Sequence, residues 1–145
     1  MLPILLLLTL GVIEMGRYAY IGILVGNAAR AGAAYGSAHL ANASTDPTVQ
    51  AKVRAAAIND FQNNGQTGLA ATSTTTCGCD NNGTLSADTA LGCDPTGAPP
   101  TCPAGHWVVT IHVTASGTFG SLFSYPGIPA SIDVSRTASM RVAPN

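Results

Sequence analysis

Charge is what this sequence has least of. Only 13 of its 145 side chains are formally charged, 9%, against roughly 25% in an ordinary soluble domain. Six Lys and Arg against seven Asp and Glu leave a net charge of −1, which excludes the basic excess that a nucleic-acid footprint needs. No nucleic-acid partner is expected. Catalytic signatures are missing too: there is no G-x-S-x-G, no H-E-x-x-H, no P-loop and no dinucleotide fingerprint. His39, His106 and His112 have no Ser or Cys nucleophile at a suggestive spacing. Asp80, Asp88 and Asp94 fall in a polar loop whose spacing matches no calcium site. The chain is therefore not expected to be an enzyme, and no cofactor, metal or small-molecule substrate is expected.

What the sequence does have is apolar and unevenly placed. Mean hydropathy is +0.27, and residues 1–34 hold just three charges, Glu14, Arg17 and Arg30, with none before Glu14. A bilayer core of about 30 Å takes about 20 mostly apolar helical residues, and Leu2 to Val25 supplies that length if Glu14 and Arg17 are tolerated inside it. Three apart, they share a helix face and can neutralise each other. The run Ile4–Leu8 is apolar all round, which favours a membrane or filament-core helix over the striped helix of a soluble core. A cleavable signal is the competing reading, since Ala29-Arg30-Ala31 has the small-x-small form, but no basic residue precedes the apolar run and three charges follow it.

Leu2-Pro3 before the leucine run, then Gly11-Val-Ile-Glu14-Met-Gly16-Arg17, then Asn27-Ala28-Ala29-Arg30-Ala31-Gly32-Ala33 together resemble the N-terminal signature of TadE-like proteins. Those are pseudopilin-type components of Tad (tight adherence) pilus machinery. In that family the prepilin peptidase recognises a basic leader ending in Gly, with a Glu five residues on. Neither is present here, so residues are expected upstream of Met1. The resemblance implies a structural or assembly role in a Tad-type pilus, with the inner membrane and other pilin-like subunits or assembly machinery as partners. The chain would lie in the bacterial inner membrane with its C-terminal domain in the periplasm, or in an extracellular filament.

The remaining 111 residues carry ten charges and read as a small α+β domain. The first helix is expected to run on to about Asn42. Thr45-Asp46-Pro47 marks a second helix start, Val49, Val53, Ala57 and Phe61 give it one apolar stripe, and Asn63-Asn64-Gly65 ends it. His106–Ser116 and Ser131–Ala143 alternate with period 2, as half-buried strands do, with Arg136 the exception on the inward face of the second. Leu69–Cys77, rich in Thr, suits an edge strand. Gly117–Pro129 holds too many glycines and prolines for a tight hairpin and reads as a loop, with Phe119, Leu122, Phe123 and Tyr125 folded back on the core. The expected fold is a long N-terminal hydrophobic helix packed on a small antiparallel sheet, a pilin-like plan, divided into residues 1–34 as anchor and 35–145 as extracytoplasmic domain.

All four cysteines lie between residues 77 and 102, in a loop with little to bury. A Cys77–Cys79 bridge would be strained, which leaves two pairings open: 77–93 with 79–102, or 77–102 with 79–93. The C-x-C pair and the eight residues between Cys93 and Cys102 do not suit zinc. Disulfides imply an oxidising compartment, and TadE-like families often carry Cys pairs in this region. The site residues expected to matter are the Glu14/Arg17 pair, as an assembly or register device, and Gly11, Gly16, Gly22 and Gly26, as small residues that let helices approach. The alternative is a secreted binding domain released by signal cleavage near Ala31.

Overall fold

A computed structural model of the chain describes residues 2–39, 47–87, 102–122 and 129–142. The expected helix end near Asn42, the Asp46 cap, Cys93, Asp88, Asp94, Phe123 and Tyr125 lie outside them. Two helices, α1 (Leu2–His39) and α2 (Pro47–Asn63), precede four strands: β1 (Ala70–Asn81), β2 (Thr84–Ala87), β3 (His106–Gly120) and β4 (Ser131–Arg141). The strands form one antiparallel sheet in the order β2-β1-β3-β4. Both helices cover one face of it, in the expected α+β arrangement.

α1 has 38 residues and at 1.5 Å per residue is about 57 Å long. Its buried residues are Leu24, Val25, Ala28, Ala29, Gly32, Ala33 and Gly36, all in the second half. Leu2, Ile4, Leu5, Leu6, Leu7 and Leu8 are exposed. The expected boundary at residue 34 thus falls inside the packed domain, because the Ala- and Gly-rich half of the helix is its core. A Cβ on Gly32 would lie 3.0 Å from both Val113 Cγ1 and the Val53 carbonyl oxygen, and one on Gly36 would lie 2.6 Å from Ile111 Cδ1. These two glycines let α1 settle onto α2 and β3 at closer range than an alanine would.

α2 follows its sequence pattern. Val53, Ala57 and Phe61 of the stripe are buried. Its end is a Schellman motif: Gly65, at φ +76°, donates to the Gln62 carbonyl at 2.9 Å, and Gln66 donates to that of Phe61 at 3.4 Å. Gln50, expected outside the stripe, is buried and donates to Thr75 Oγ1 on β1 at 2.8 Å.

β3 turns Val109, Ile111, Val113 and Ala115 inward, as the alternation requires, but continues four residues beyond Ser116. The expected loop at Gly117–Gly120 is strand instead. Gly117 acts as a point of close approach, since a Cβ there would sit 3.2 Å from Val25 Cγ2 and 3.6 Å from the Phe61 ring. Phe119 keeps the inward parity and is buried, whereas Leu122, expected on the core, is 61% exposed. β1 is an edge only in its first part, because β2 pairs with Gly78–Asn81. Asp80, expected in a loop, therefore lies in a strand, just before a two-residue hairpin turn at Asn82 (φ +51°) and Gly83 (φ +89°). Asn-Gly with both residues at positive φ is the type I′ signature.

Candidate functional site

Three places bring polar or reactive groups together, and the first is where α1 leaves the sheet. Arg17 Nη1 lies 3.3 Å from Glu14 Oε2, one turn away on the same face. The other carboxylate oxygen, Oε1, accepts the backbone N–H of Leu122 at 2.8 Å, from the far end of β3. The Arg17 guanidinium stands 5.3 Å from the centre of the Phe119 ring, and Tyr18 meets the same ring edge-on at 5.6 Å. The glutamate is thus held both by its own helix and by the sheet tip, with its side chain 14% exposed against 41% for Arg17. Tyr18 and the Leu122 N–H were not legible in the sequence. Phe119 was legible as an aromatic folded back on the core, though from a loop rather than from β3.

Beside this pair lies an open groove of about 550 Å³. Its walls are Leu7, Gly11, Met15 and Tyr18 on α1, and Phe119 and Ile132 on the sheet. Glu14 also borders it, through a side chain already paired. Of the four glycines expected to serve helix packing, Gly11 and Gly16 have nothing within 4 Å of an added Cβ. Gly22 and Gly26 lie under Arg136 of the same chain, whose Nη2 and Cγ are 3.8 and 4.0 Å from the Cβ positions. That contact accounts for the one charged residue on the inward face of β4, since the arginine stem lies over glycine and its head reaches outward.

The second place is the opposite end of the sheet. Cys79 and Cys102 form a disulfide, which belongs to the first of the two pairings left open, and Cys77 is disulfide-bonded as well. Next to the bridge, Asp80 is 4% exposed. It accepts the Gly83 N–H at 2.8 Å and an ion pair from Arg141 at 2.7 Å. The Gly83 N–H does most to hold this carboxyl below the usual carboxylate range. Burial opposes it, and Arg141 and His106 add to the lowering. A Cβ on Gly105 (φ +90°) would run into the Asp80 carbonyl, so glycine is required where the segment after Cys102 crosses β1.

The third is the outer sheet face. His112 bridges Thr76 Oγ1 at 2.8 Å and Ser139 Oγ at 2.7 Å across three strands, and Thr114 pairs with Thr137 at 2.8 Å. His39 stacks on Tyr35 at 4.1 Å between ring centres. The His112 contacts order the exposed sheet face, with the imidazole shared between two hydroxyls. Among the described residues, no three His, Cys, Asp or Glu side chains converge in a way that would hold a metal ion.

α1 is long and apolar enough to cross a membrane by length and composition. No curated protein and no solved structure matches the chain. Residues 1–34 match the family model described as TadE-like protein, and this supports the resemblance carried by Pro3, the Glu14-x-Gly16-Arg17 run and Asn27–Ala33.

Proposed function

We propose that this chain is a structural or assembly component of a Tad-type pilus, a pseudopilin anchored by the exposed first half of α1, with its α+β domain outside the cytoplasm. The observation that carries this reading is the match of residues 1–34 to the TadE-like family together with the form of that segment. The run Ile4–Leu8 is apolar all round and exposed, and the second half of the helix is built into the domain. The Cys79–Cys102 bridge supports an oxidising compartment. Signal cleavage near Ala31 is disfavoured by packing, because it would remove Leu24, Val25, Ala28 and Ala29 from the core.

N-terminal sequencing of membrane and secreted fractions tests the anchor. The chain is expected in the membrane or pilus fraction with the Leu2–Val25 segment intact, and a chain beginning at Gly32 in the medium would overturn the proposal.

Within the assembly, Arg17 is the member of the pair free to meet a neighbour, since Glu14 is held by Leu122. Exchange of ion-pair partners between subunits would set axial register, because an unpaired charge in an apolar bundle costs several kcal/mol. Glu14→Arg in one copy and Arg17→Glu in another are expected to restore assembly when co-expressed. Failure of that rescue would leave the pair a device internal to one chain.

A further inference from the structure

The groove between α1 and the sheet tip has one wall made of the proposed membrane anchor itself. Leu7, Gly11 and Met15 belong to the stretch that is exposed and apolar all round, and Ile132 and Phe119 form the facing wall. Ile132, on the inward face of β4, is nevertheless 40% exposed, because the groove is open beside it. Leu122, whose N–H is bonded to Glu14 on the groove's edge, is 61% exposed. Among the described residues 117–122 and 129–132 there is no Asp, Glu, Lys or Arg. Any bilayer that surrounds Leu7 and Met15 must reach these sheet residues as well. From this we infer that the end of the sheet formed by β3 and β4 is a second membrane-contact surface, and that lipid acyl chains occupy the groove.

The chemistry suits that occupant. Glu14 is neutralised by Arg17 and hydrogen-bonded by the Leu122 N–H, and the Ser121 N–H donates to the Ala130 carbonyl at 2.9 Å. These two backbone donors, the N–H groups of Ser121 and Leu122, are thereby satisfied before they approach lipid, as hydrocarbon requires. Tyr18 and Tyr20 are both exposed on α1 beyond Met15, where aromatic side chains would suit the boundary between lipid tails and headgroups. Asp133, on the opposite face of β4 and accepting from Thr118 at 2.9 Å, limits immersion to about the level of Ile132. Continuity argues for lipid as the occupant: the groove opens onto the same Leu7 and Met15 surface that the bilayer bathes.

This inference rests on the anchored reading, and one experiment separates the two. The full chain carrying Trp107→Phe is reconstituted in vesicles of phosphatidylethanolamine and phosphatidylglycerol whose acyl chains are brominated. Tryptophan is then placed singly at Leu7, Leu122 or Ile132, all exposed positions. Loss of emission from Leu7→Trp together with both tip reporters is the expected result. Loss from Leu7→Trp alone would overturn the second contact and leave the anchor standing. Emission from Ile132→Trp that is blue-shifted but unquenched would mean that a second copy fills the groove, which also overturns the inference. Absence of quenching at all three positions would remove the anchored reading and this one with it.

Discussion

The two halves of α1 are both apolar, yet they are put to opposite uses. From Leu2 to Ile13 the helix carries Leu, Ile and Val on every side and leaves them exposed. From Leu24 to Gly36 it presents Ala and Gly to the sheet and α2 and is buried. Hydropathy falls from the first half to the second, which holds Asn27 and Arg30, and side-chain volume falls with it. Small residues let the helix axis approach a sheet until backbone and side chains interlock, as Gly32 does against Val53, Ala57 and Val113. Large ones hold neighbours away and leave a surface that only a fluid or a second helix can cover.

The most drastic way to break this comparison is to cut α1 at two points. A chain starting at Ile21 is expected to keep a cooperative unfolding transition, and one starting at Gly32 is expected to lose it. The second cut removes Leu24 and Val25, each worth about 1.5–3 kcal/mol on burial, from a domain whose total stability is about 5–15 kcal/mol. Circular dichroism melts of both chains decide it, and folding of the shorter one would show that the helix is dispensable to the sheet.

Gly32→Ala is a gentler probe of the same half. Alanine gains about 1 kcal/mol of helix propensity over glycine. Against that, its Cβ would stand 3.0–3.1 Å from three neighbours, one of them the Val53 backbone oxygen, and such overpacking costs about 1–3 kcal/mol. The net expectation is a loss of about 1 kcal/mol, read as a fall in Tm of roughly 3–4 °C.

Much of this architecture was legible because it depends on period. The stripe of α2 and the inward face of β3 follow from spacing alone, and so does the sheet they imply. What spacing misread are residues whose role is set by a neighbour distant in sequence. Gly117 looks like a breaker until Val25 and Phe61 are brought against it. Arg136 looks misplaced on an inward face until Gly22 and Gly26 are seen to lie beneath it. Asn82-Gly83 is a local turn signal, and it is this hairpin that places Asp80 in a strand rather than a loop. Within the candidate site, Glu14 and Arg17 were legible as a pair. The Leu122 N–H that holds Glu14 belongs to the backbone and leaves no mark on the sequence.

The disulfide end of the sheet supplies a contrast with the uncharged tip, because there a buried carboxylate carries the local order. Asp80 has its pKa lowered in the folded state, so its contribution is full above the unfolded value near 3.8 and is lost as pH falls through the folded one. Asp80→Asn is therefore expected to lower Tm at pH 7, with the gap to the parent chain narrowing as acid protonates the parent's carboxyl. Melts from pH 7 down to pH 2 check the sign. A gap that stays constant would mean that the loss comes from something other than the charge of the carboxylate.

The smallest effect is expected where the two halves of α1 should differ most clearly, at Gly11 and Gly16. Neither has an atom within 4 Å of an added Cβ, so alanine meets no obstacle within the chain and can only favour the helix, by up to about 1 kcal/mol. That gain is local, because residues 2–20 bury little against the domain, and the Tm of the domain should not move. A fall in Tm comparable to that of Gly32→Ala would show that the exposed half is coupled to the core after all, and the division between the halves would fail. If Tm holds while Gly11→Leu or Gly16→Leu reduces pilus formation in cells, the defect lies outside the single chain. Gly11 and Gly16 would then be small for the same reason as Gly32, with the closely approaching surface supplied by another subunit.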